Sequence, residues 1–382
     1  MKPLSVASAF SAALPASGTA CANEETRSLP TFDIIGRLQL DLSEEPPFGD
    51  DIPVDRRARL GLAAQFTEHW GGVIDLDFAG DQIAEQDLLI WYRPSASHRF
   101  VFGHNKVPSV MDEKTDDLFS TFLERATLAQ FSPGYALGVS YEFAKNGWHA
   151  EVGVFGTGSD GDSFVLDHDG AQAGVRLGRV ITRETGDQFH LGVSGHVADI
   201  SSAAVYGGAL TPEINAGPRL LQFSLSAPDT ASFLGFETGL ALDAVSVQAE
   251  AGARRFASNS GPDVQAEGGY VEATFMLTGE HRSLNPANST FQRVNVLRPL
   301  SAGGYGAFQI GARFSLTRIE QGPALSNELT SASLALNWYP EDRVRVMVNW
   351  VRHDTSSLAF IPVELADGAS GDTLGLRVQL DW

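Results

Sequence analysis

The feature that most constrains the fold is an alternation of apolar and polar residues that recurs along nearly the whole sequence. Near the start, Phe32, Ile34 and Leu38 alternate with Asp33 and Arg37. Such segments alternate over about nine to eleven residues and recur up to the last ten positions. A period of two, with one apolar and one charged face, is the pattern of a β-strand. The chain is therefore expected to be all-β.

The lengths of the strands and turns indicate a barrel. Turns alternate unevenly between short ones, such as 146–147, and long ones, such as 157–170 and 355–371. Strands of a soluble sandwich commonly have about five or six residues, whereas these match tilted strands that cross a membrane. We predict a transmembrane antiparallel up-and-down β-barrel of about 16 strands, the first near 31–43. A soluble sandwich with one wet face is the alternative.

Two regions leave the strand count open, residues 199–232 and 281–304. By the alternation of turns, the second of these falls at the short-turn end of the barrel. It is either a periplasmic segment that folds inward, or the count is wrong because a strand nearby was missed or added. Aromatic residues near segment ends, among them Trp70, Trp350 and Trp382, resemble the girdles of outer-membrane barrels.

The first 22 residues have the composition of a secretory signal. Lys2 precedes an apolar stretch, and a small residue on either side of Cys21 ends it. We predict a signal peptide over 1–22 and the barrel over 23–382; a disordered alanine-rich tail is the alternative. Cleavage would remove the only cysteine. No later run of 18 apolar residues predicts a transmembrane helix.

The overall charge excludes one class of partner. The sequence has 47 Asp and Glu against 27 Lys and Arg, a formal net charge of −20. Nucleic-acid binding needs clustered cations, so no nucleic-acid partner is expected.

One long segment, about 103–134, interrupts the alternation and reads as partly helical over 110–130. Its apolar residues would be costly to expose, so we expect it to fold into a water-filled lumen and to narrow it. Its charges are candidates for the pore lining: Lys106, Asp112, Glu113, Lys114, Asp116, Asp117, Glu124 and Arg125. The five acids outnumber the three bases, and a narrow low-dielectric pore amplifies whichever sign dominates.

A set of arginines falls on the polar faces of the predicted strands. These further pore-lining candidates are Arg37, Arg57, Arg59, Arg176, Arg254, Arg313, Arg345 and Arg377. They could form a ladder that passes an anion between bidentate contacts. Alternatively, they could pair with lumen acids such as Asp33, Asp75 and Glu142 and pack the interior.

Several stretches resemble, in order, the phosphate-selective porin O and P family. They are RRARLGL, DFAG, GHNKVPS with FLERA, PGYALGVSYEF, GGYVEATFMLTGE and LNWYPEDRVRVMVNWV. The resemblance runs from about residue 32 to 382. It implies a 16-stranded outer-membrane channel, usually a homotrimer, with an inward-folded third loop and, in anion-selective members, lumen arginines and lysines that draw phosphate through. The acidic balance of 103–134 departs from that anion-selective pattern.

We therefore expect a porin of the bacterial outer membrane that conducts small hydrophilic solutes and ions passively and needs no cofactor. The alternatives are a phosphate or oxyanion channel and a structural or adhesive barrel with a plugged lumen. No enzyme or metal site is expected, since His190 and His196 are too far apart on their strand to share a metal. The acidic stretch 160–169 is either a solvated loop or a loose calcium site.

The expected partners follow from the barrel. They are outer-membrane lipid, the permeating ions and, at the C-terminal end, the barrel-assembly machinery. The last strand ends at Trp382, and a terminal aromatic residue resembles the signal which that machinery reads. The same strand should pair with the first one to close the barrel.

Overall fold

The computed structural model describes residues 29–44, 52–156, 170–203, 205–211, 213–214, 221–322, 325–357 and 370–382. The predicted signal peptide and the acidic stretch 160–169 lie outside these residues. Within them, no helix is long and apolar enough to cross a membrane.

The described residues form eighteen β-strands, whose bounds follow in chain order. They are β1 Thr31–Glu44, β2 Ile52–Gln65, β3 Trp70–Asp77, β4 Ala84–Ser95, β5 His98–Lys106, β6 Tyr135–Lys145, β7 Trp148–Gly156, β8 Ala171–Thr182, β9 Gln188–Asp199, β10 Val205–Leu210, β11 Leu221–Ser226, β12 Pro228–Leu242, β13 Val245–Ser258, β14 Val264–Met276, β15 Ala307–Gln321, β16 Leu325–Glu341, β17 Val344–Ser357 and β18 Ser370–Asp381.

Sixteen of these strands close into one antiparallel barrel, which confirms the predicted fold and strand number. Strand β1 pairs with β18 to close it. Strands β10 and β11 pair only with each other, and β9 pairs directly with β12. The uncertain region 199–232 therefore contributes an extra hairpin rather than extra wall strands.

The two faces of the wall differ as the alternation predicts. In β18, the side chains of Leu374, Leu376 and Val378 are exposed, whereas those of Thr373 and Arg377 are buried. A closed ladder satisfies every strand with a neighbour, so an apolar outer face can meet lipid without unpaired backbone groups. The outward-facing residues are thus the lipid-facing surface.

Aromatic side chains gather on this outer surface at the short-turn end. Trp70 packs on Tyr92 with ring centroids 4.8 Å apart, and Phe100 continues the row to Tyr141 at 5.1 Å. This arrangement matches the aromatic girdles of membrane barrels. Trp350 is an exception to our expectation, because it lies in the middle of β17 rather than near an end.

Three segments between wall strands turn back into the interior. We name residues 107–134 the lumen loop, β10 with β11 the long-end hairpin, and residues 277–306 the short-end segment. The hairpin packs through Phe223 on the wall residue Phe256, with centroids 4.9 Å apart. Together these segments fill much of the barrel.

The short-end segment resolves the second uncertainty of the strand count. It joins β14 to β15 at the short-turn end. The Gln188 side chain on β9 donates to Leu284 O at 2.9 Å and accepts from Leu284 N at 2.7 Å. The segment therefore folds inward, and no strand was missed or added there.

Candidate functional site

The lumen loop leaves the wall through a closed neck. Val107 N donates to Gly134 O at 3.1 Å, and the hydroxyls of Ser109 and Ser132 are 2.6 Å apart. The predicted bounds began too early, since residues 103–106 still pair with β6 as part of β5. Beyond the neck the loop is irregular, with one helical turn at Met111–Lys114 and 3-10 turns at Asp117–Phe119 and Thr127–Phe131.

Wall side chains hold the loop by its backbone. Arg345 Nη1 donates to Ser120 O at 2.6 Å, Arg377 Nη1 to Leu123 O at 2.5 Å, and Arg313 Nη2 to Glu124 O at 3.0 Å. The wall residues Asn337 and Arg254 bond Thr121 and Phe131 in the same way, and Arg282 of the short-end segment bonds Phe119 O. Because these bonds end on carbonyl oxygens, they depend on the path of the loop more than on its side chains.

Loop carboxylates pair with a group of arginines on β1 and β2. Arg37 Nη1 lies 2.7 Å from Asp116 Oδ1 and also contacts Asp117, and Arg57 Nε lies 2.8 Å from Asp117 Oδ2. Burial alone would raise the pKa of Asp117, but these guanidinium groups outweigh it and hold the pKa well below its usual range. Asp117 is therefore ionised throughout the ordinary pH range.

A second pair of loop contacts involves lysines. Lys106 Nζ lies 3.0 Å from Glu113 Oε1, and Lys114 Nζ lies 2.9 Å from Glu151 Oε1 on β7. Burial opposes ionisation of Glu113, yet the nearby Arg125 and Lys106 lower its pKa. These two lysine–glutamate pairs lie in the part of the loop nearest β5 to β7.

An open cavity of about 900 Å³ remains between the lumen loop and strands β1 to β7. Its eight basic residues are Arg37, Arg56, Arg57, Arg59, Arg99, Lys106, Lys114 and Arg125. Its nine acidic residues are Asp77, Glu85, Asp87, Glu113, Asp116, Asp117, Glu124, Glu142 and Glu151. The lining is strongly charged but nearly balanced, which suits the passage of hydrated polar solutes.

Comparison with known proteins assigns the chain to a family. Residues 33–382 match the family described as phosphate-selective porin O and P. The chain belongs to this family. It is an outer-membrane channel of the porin type, located in the bacterial outer membrane, and its fold is that of a channel rather than of an enzyme.

Two relatives and one solved structure place this porin among its neighbours. An uncharacterised protein of Caulobacter vibrioides is 26% identical over 342 residues, covering 84% of this chain and 68% of that protein. Porin O of Pseudomonas aeruginosa is 23% identical over 385 residues, covering 86% and 84%. OmpT of Vibrio cholerae, an outer membrane protein in a trimer form, superposes with a TM-score of 0.61 at 11% identity, covering 93% and 100%.

Ten of the sixteen residues we expected in the pore lining do line the open cavity of this porin: Arg37, Arg57, Arg59, Lys106, Glu113, Lys114, Asp116, Asp117, Glu124 and Arg125. The other six lie away from it: Asp112, Arg176, Arg254, Arg313, Arg345 and Arg377. Asp112 is buried within the lumen loop, and the five arginines are buried because their strands face the inserted segments instead of open lumen. Arg176, for example, pairs with Glu237 at 2.6 Å and donates to the short-end segment.

Sequence reasoning missed several lining residues of this porin, and two of them lie at irregularities of the sheet. Between β1 and β2 the pairing jumps from Gln39 with Arg57 to Leu40 with Asp55, so Arg56 is an extra residue in a bulge. A second register jump between β3 and β4 surrounds Asp87. A strict period of two cannot reveal either position. Arg99 could have been found, because it lies directly opposite Glu142, which the alternation already places in the lumen.

Two histidines on β9 bond to side chains of neighbouring strands. His190 Nε2 lies 2.8 Å from Glu237 Oε1, and His196 Nε2 lies 2.8 Å from Gln172 Oε1. No group of three potential metal ligands occurs in the described part of the chain.

Proposed function

We propose that this porin conducts small hydrophilic solutes and ions of both signs, with little preference for either charge. The observation that carries the proposal is the cavity lining, in which eight basic and nine acidic residues nearly cancel although the whole chain carries −20. A narrow pore responds to the charges that line it and much less to distant surface charge. The lining is thus a better guide to selectivity than the composition.

The pairing of the lining charges supports the same proposal. Arg56 lies 2.8 Å from Glu124, Arg59 lies 2.9 Å from Asp77, and Lys106 is paired with Glu113. An entering ion of either sign therefore meets both an attractive and a repulsive group at each of these places. The pairs give the cavity a strong local field, which orders passing polar molecules without excluding one sign.

A phosphate-selective channel is the second candidate, favoured by the family and by the adjacent Arg56, Arg57 and Arg59 along one wall. Its main difficulty is that five of the eight predicted ladder arginines bond to inserted segments or their neighbours and do not face the cavity.

The reversal potential of single channels in a tenfold potassium chloride gradient distinguishes the candidates. The general porin should give a value close to zero, far from the limit of about 59 mV for perfect selectivity. A potential near the anion limit would support the phosphate-selective candidate instead. Absence of any conductance would contradict both and favour a structural barrel.

The assembly of this porin belongs to the same proposal. We infer a homotrimer in outer-membrane lipid, supported by the family and by the trimeric form of the Vibrio cholerae structure. We also infer that the barrel-assembly machinery recognises β18 with its terminal Trp382.

A further inference from the structure

The short-end segment begins inside the barrel but does not end there. Leu284 and Phe291 are buried in one cluster with Met111 of the lumen loop, and Val294 is still buried. Residues 297–305 then continue beyond this packed part, and most of them are exposed. We name residues 297–305 the foot.

The foot lies against the lipid-facing side of the wall. Trp338 is on the outward face of β16 with the exposed Leu336, because both alternate with the buried Asn337. Trp338 stacks on Phe308 of β15, with ring centroids 6.2 Å apart, and its Nε1 donates to Tyr305 O at 3.0 Å. The foot therefore adjoins the outer surface of the barrel, although the segment that carries it fills part of the lumen.

Hydrogen bonds fix the shape of the foot. Gly304 N donates to Pro299 O at 2.9 Å, which closes the backbone into a tight turn. Ser301 donates from N and from its hydroxyl to the two carboxylate oxygens of Glu341, at 2.6 and 2.9 Å, and this attaches the turn to the end of β16. Because the backbone is held in this way, the apolar side chains of the foot cannot collapse into a core of their own.

The exposed side chains of the foot are mostly apolar. Leu297 is 64% exposed, Leu300 45% and Tyr305 46%. A single exposed leucine is ordinary on a soluble surface, but here three large side chains are held together beside a lipid-facing wall. The foot has no acidic residue, and its one base, Arg298, contacts the Tyr305 hydroxyl at 3.3 Å. An arginine with its long apolar stem can lie in an interface and still keep its charged end in water.

We propose that the foot inserts into the periplasmic leaflet of the outer membrane and anchors the short-end segment there. The short-turn end of such a barrel faces the periplasm. Lipid is the occupant that the surface fits, because the foot continues the lipid-facing surface of Phe308, Leu336 and Trp338 without a break. Tyrosine and tryptophan are also the residues that concentrate at the boundary between hydrocarbon and water.

This anchor connects the membrane surface to the interior of the pore. Arg293, just before the foot, donates to Asp381 Oδ1 on β18 at 3.0 Å. Its guanidinium also lies 5.1 Å from the centre of the Phe119 ring in the lumen loop. The part of the segment that supports the lumen loop is therefore held from outside the barrel by lipid as well as from inside by the wall.

Spin labels on single cysteines test the depth of the foot in vesicles of phosphatidylethanolamine and phosphatidylglycerol. Cys21→Ser removes the only native cysteine, and Leu300→Cys then carries the label. Oxygen, which concentrates in lipid, should relax this label strongly, and a water-soluble nickel complex should relax it weakly. The oxygen-to-nickel ratio should be severalfold higher than that of Glu184→Cys, the control in the exposed β8–β9 turn at the same end. It should be lower than that of Leu336→Cys in the lipid-facing wall.

Two results would overturn the proposal. A ratio at Leu300→Cys equal to that at Glu184→Cys would place the foot in water. Weak relaxation by both reagents would mean that protein covers the foot, as in contact with a second copy of the chain. Leu297→Cys should give the same reading as Leu300→Cys; if neither variant folds, the two side chains are packed in protein and the proposal is also wrong. The measurement needs no current, so a channel that does not conduct contradicts the proposed function and leaves the anchor standing.

Discussion

At the scale of single residues, Asp117 connects the lumen loop to the charge of the pore. It contacts Arg37 and Arg57, and Arg59 approaches it at 3.9 Å. Several like charges crowded into a narrow space would repel one another without a shared counter-charge. The carboxylate therefore attaches the loop to the wall and also compensates part of the positive charge of three arginines.

Asp117→Asn should shift the selectivity of the channel toward anions. The substitution removes one acid of the lining, which is a counter-charge shared by three guanidinium groups. A unit charge at about 4 Å in water is worth about 1 kcal/mol, so the chloride-to-potassium permeability ratio should rise by up to about fivefold. Reversal potentials in a salt gradient measure this. Asp263→Asn, the same change in an ion pair on the rim, should leave the ratio unchanged; an equal shift would point to a general surface effect.

The pH dependence of this difference in selectivity follows from the low pKa of Asp117. A carboxylate whose pKa is lowered in the folded state contributes stability above its ordinary pKa, and that stability is lost only as the pH falls through the lowered value. Asp117 therefore stays charged from pH 7 to below pH 4. The difference between Asp117→Asn and the normal channel should be as large at pH 5 as at pH 7.

At the scale of elements, the lumen loop is a segment that the barrel does not need in order to fold. Its neck is closed by Val107 with Gly134 and by Ser109 with Ser132, and the wall holds its backbone through side chains that water could solvate instead. Replacing residues 111–131 by two glycines should leave a foldable barrel. We expect severalfold higher single-channel conductance and a shift toward anions, because buried wall arginines then face open lumen.

Ser120→Ala is the control for the loop deletion. Arg345 bonds the carbonyl oxygen of Ser120 and not its hydroxyl, so the loop should stay in place and the conductance should not change. Unchanged conductance in the deletion variant would mean that the loop does not limit the pore.

The elements also show where sequence reasoning succeeds and where it fails. Alternation predicted the sixteen wall strands because lipid on one side and polar groups on the other act on every residue of a strand. It could not place β10 and β11, most of whose apolar residues are buried between the lumen loop and the wall rather than against lipid. It also could not show which arginines face water, since that depends on the path of three inserted segments. Arg313 and Arg57 have the same pattern in sequence, yet only Arg57 lines the cavity.

At the scale of the whole molecule, the barrel depends on one seam between strands that are far apart in the chain. Strands β1 and β18 pair from Arg37 with Asp381 to Glu44 with Leu374. One further rung follows, in which Trp382 N donates to Gly36 O at 3.1 Å and Gly36 N donates to Trp382 O at 3.3 Å. Long-range pairing of this kind is the entropically costly step of forming a β-fold.

Gly36→Ala should weaken this seam. A Cβ added at Gly36 would come within 2.3 Å of the Trp382 ring and 2.8 Å of the backbone oxygen of Arg59, and the second contact cannot be relieved by turning a side chain. Overpacking of this kind costs about 1 to 3 kcal/mol. Urea unfolding in lipid vesicles, with heat-modifiable electrophoretic mobility as a test of closure, should show a lower free energy of unfolding and slower closure.

Gly195→Ala is the matched control, on the wall strand β9 of the same barrel. There the nearest atom to an added Cβ is a side-chain carbon of Val175 at 3.6 Å, an ordinary contact. The lost flexibility of the unfolded chain should make this variant neutral or slightly more stable. Equal behaviour of the two alanine variants would mean that both the Trp382 ring and the Arg59 backbone move aside without cost. In that case the contact between Trp382 and Gly36 would not limit closure of the barrel.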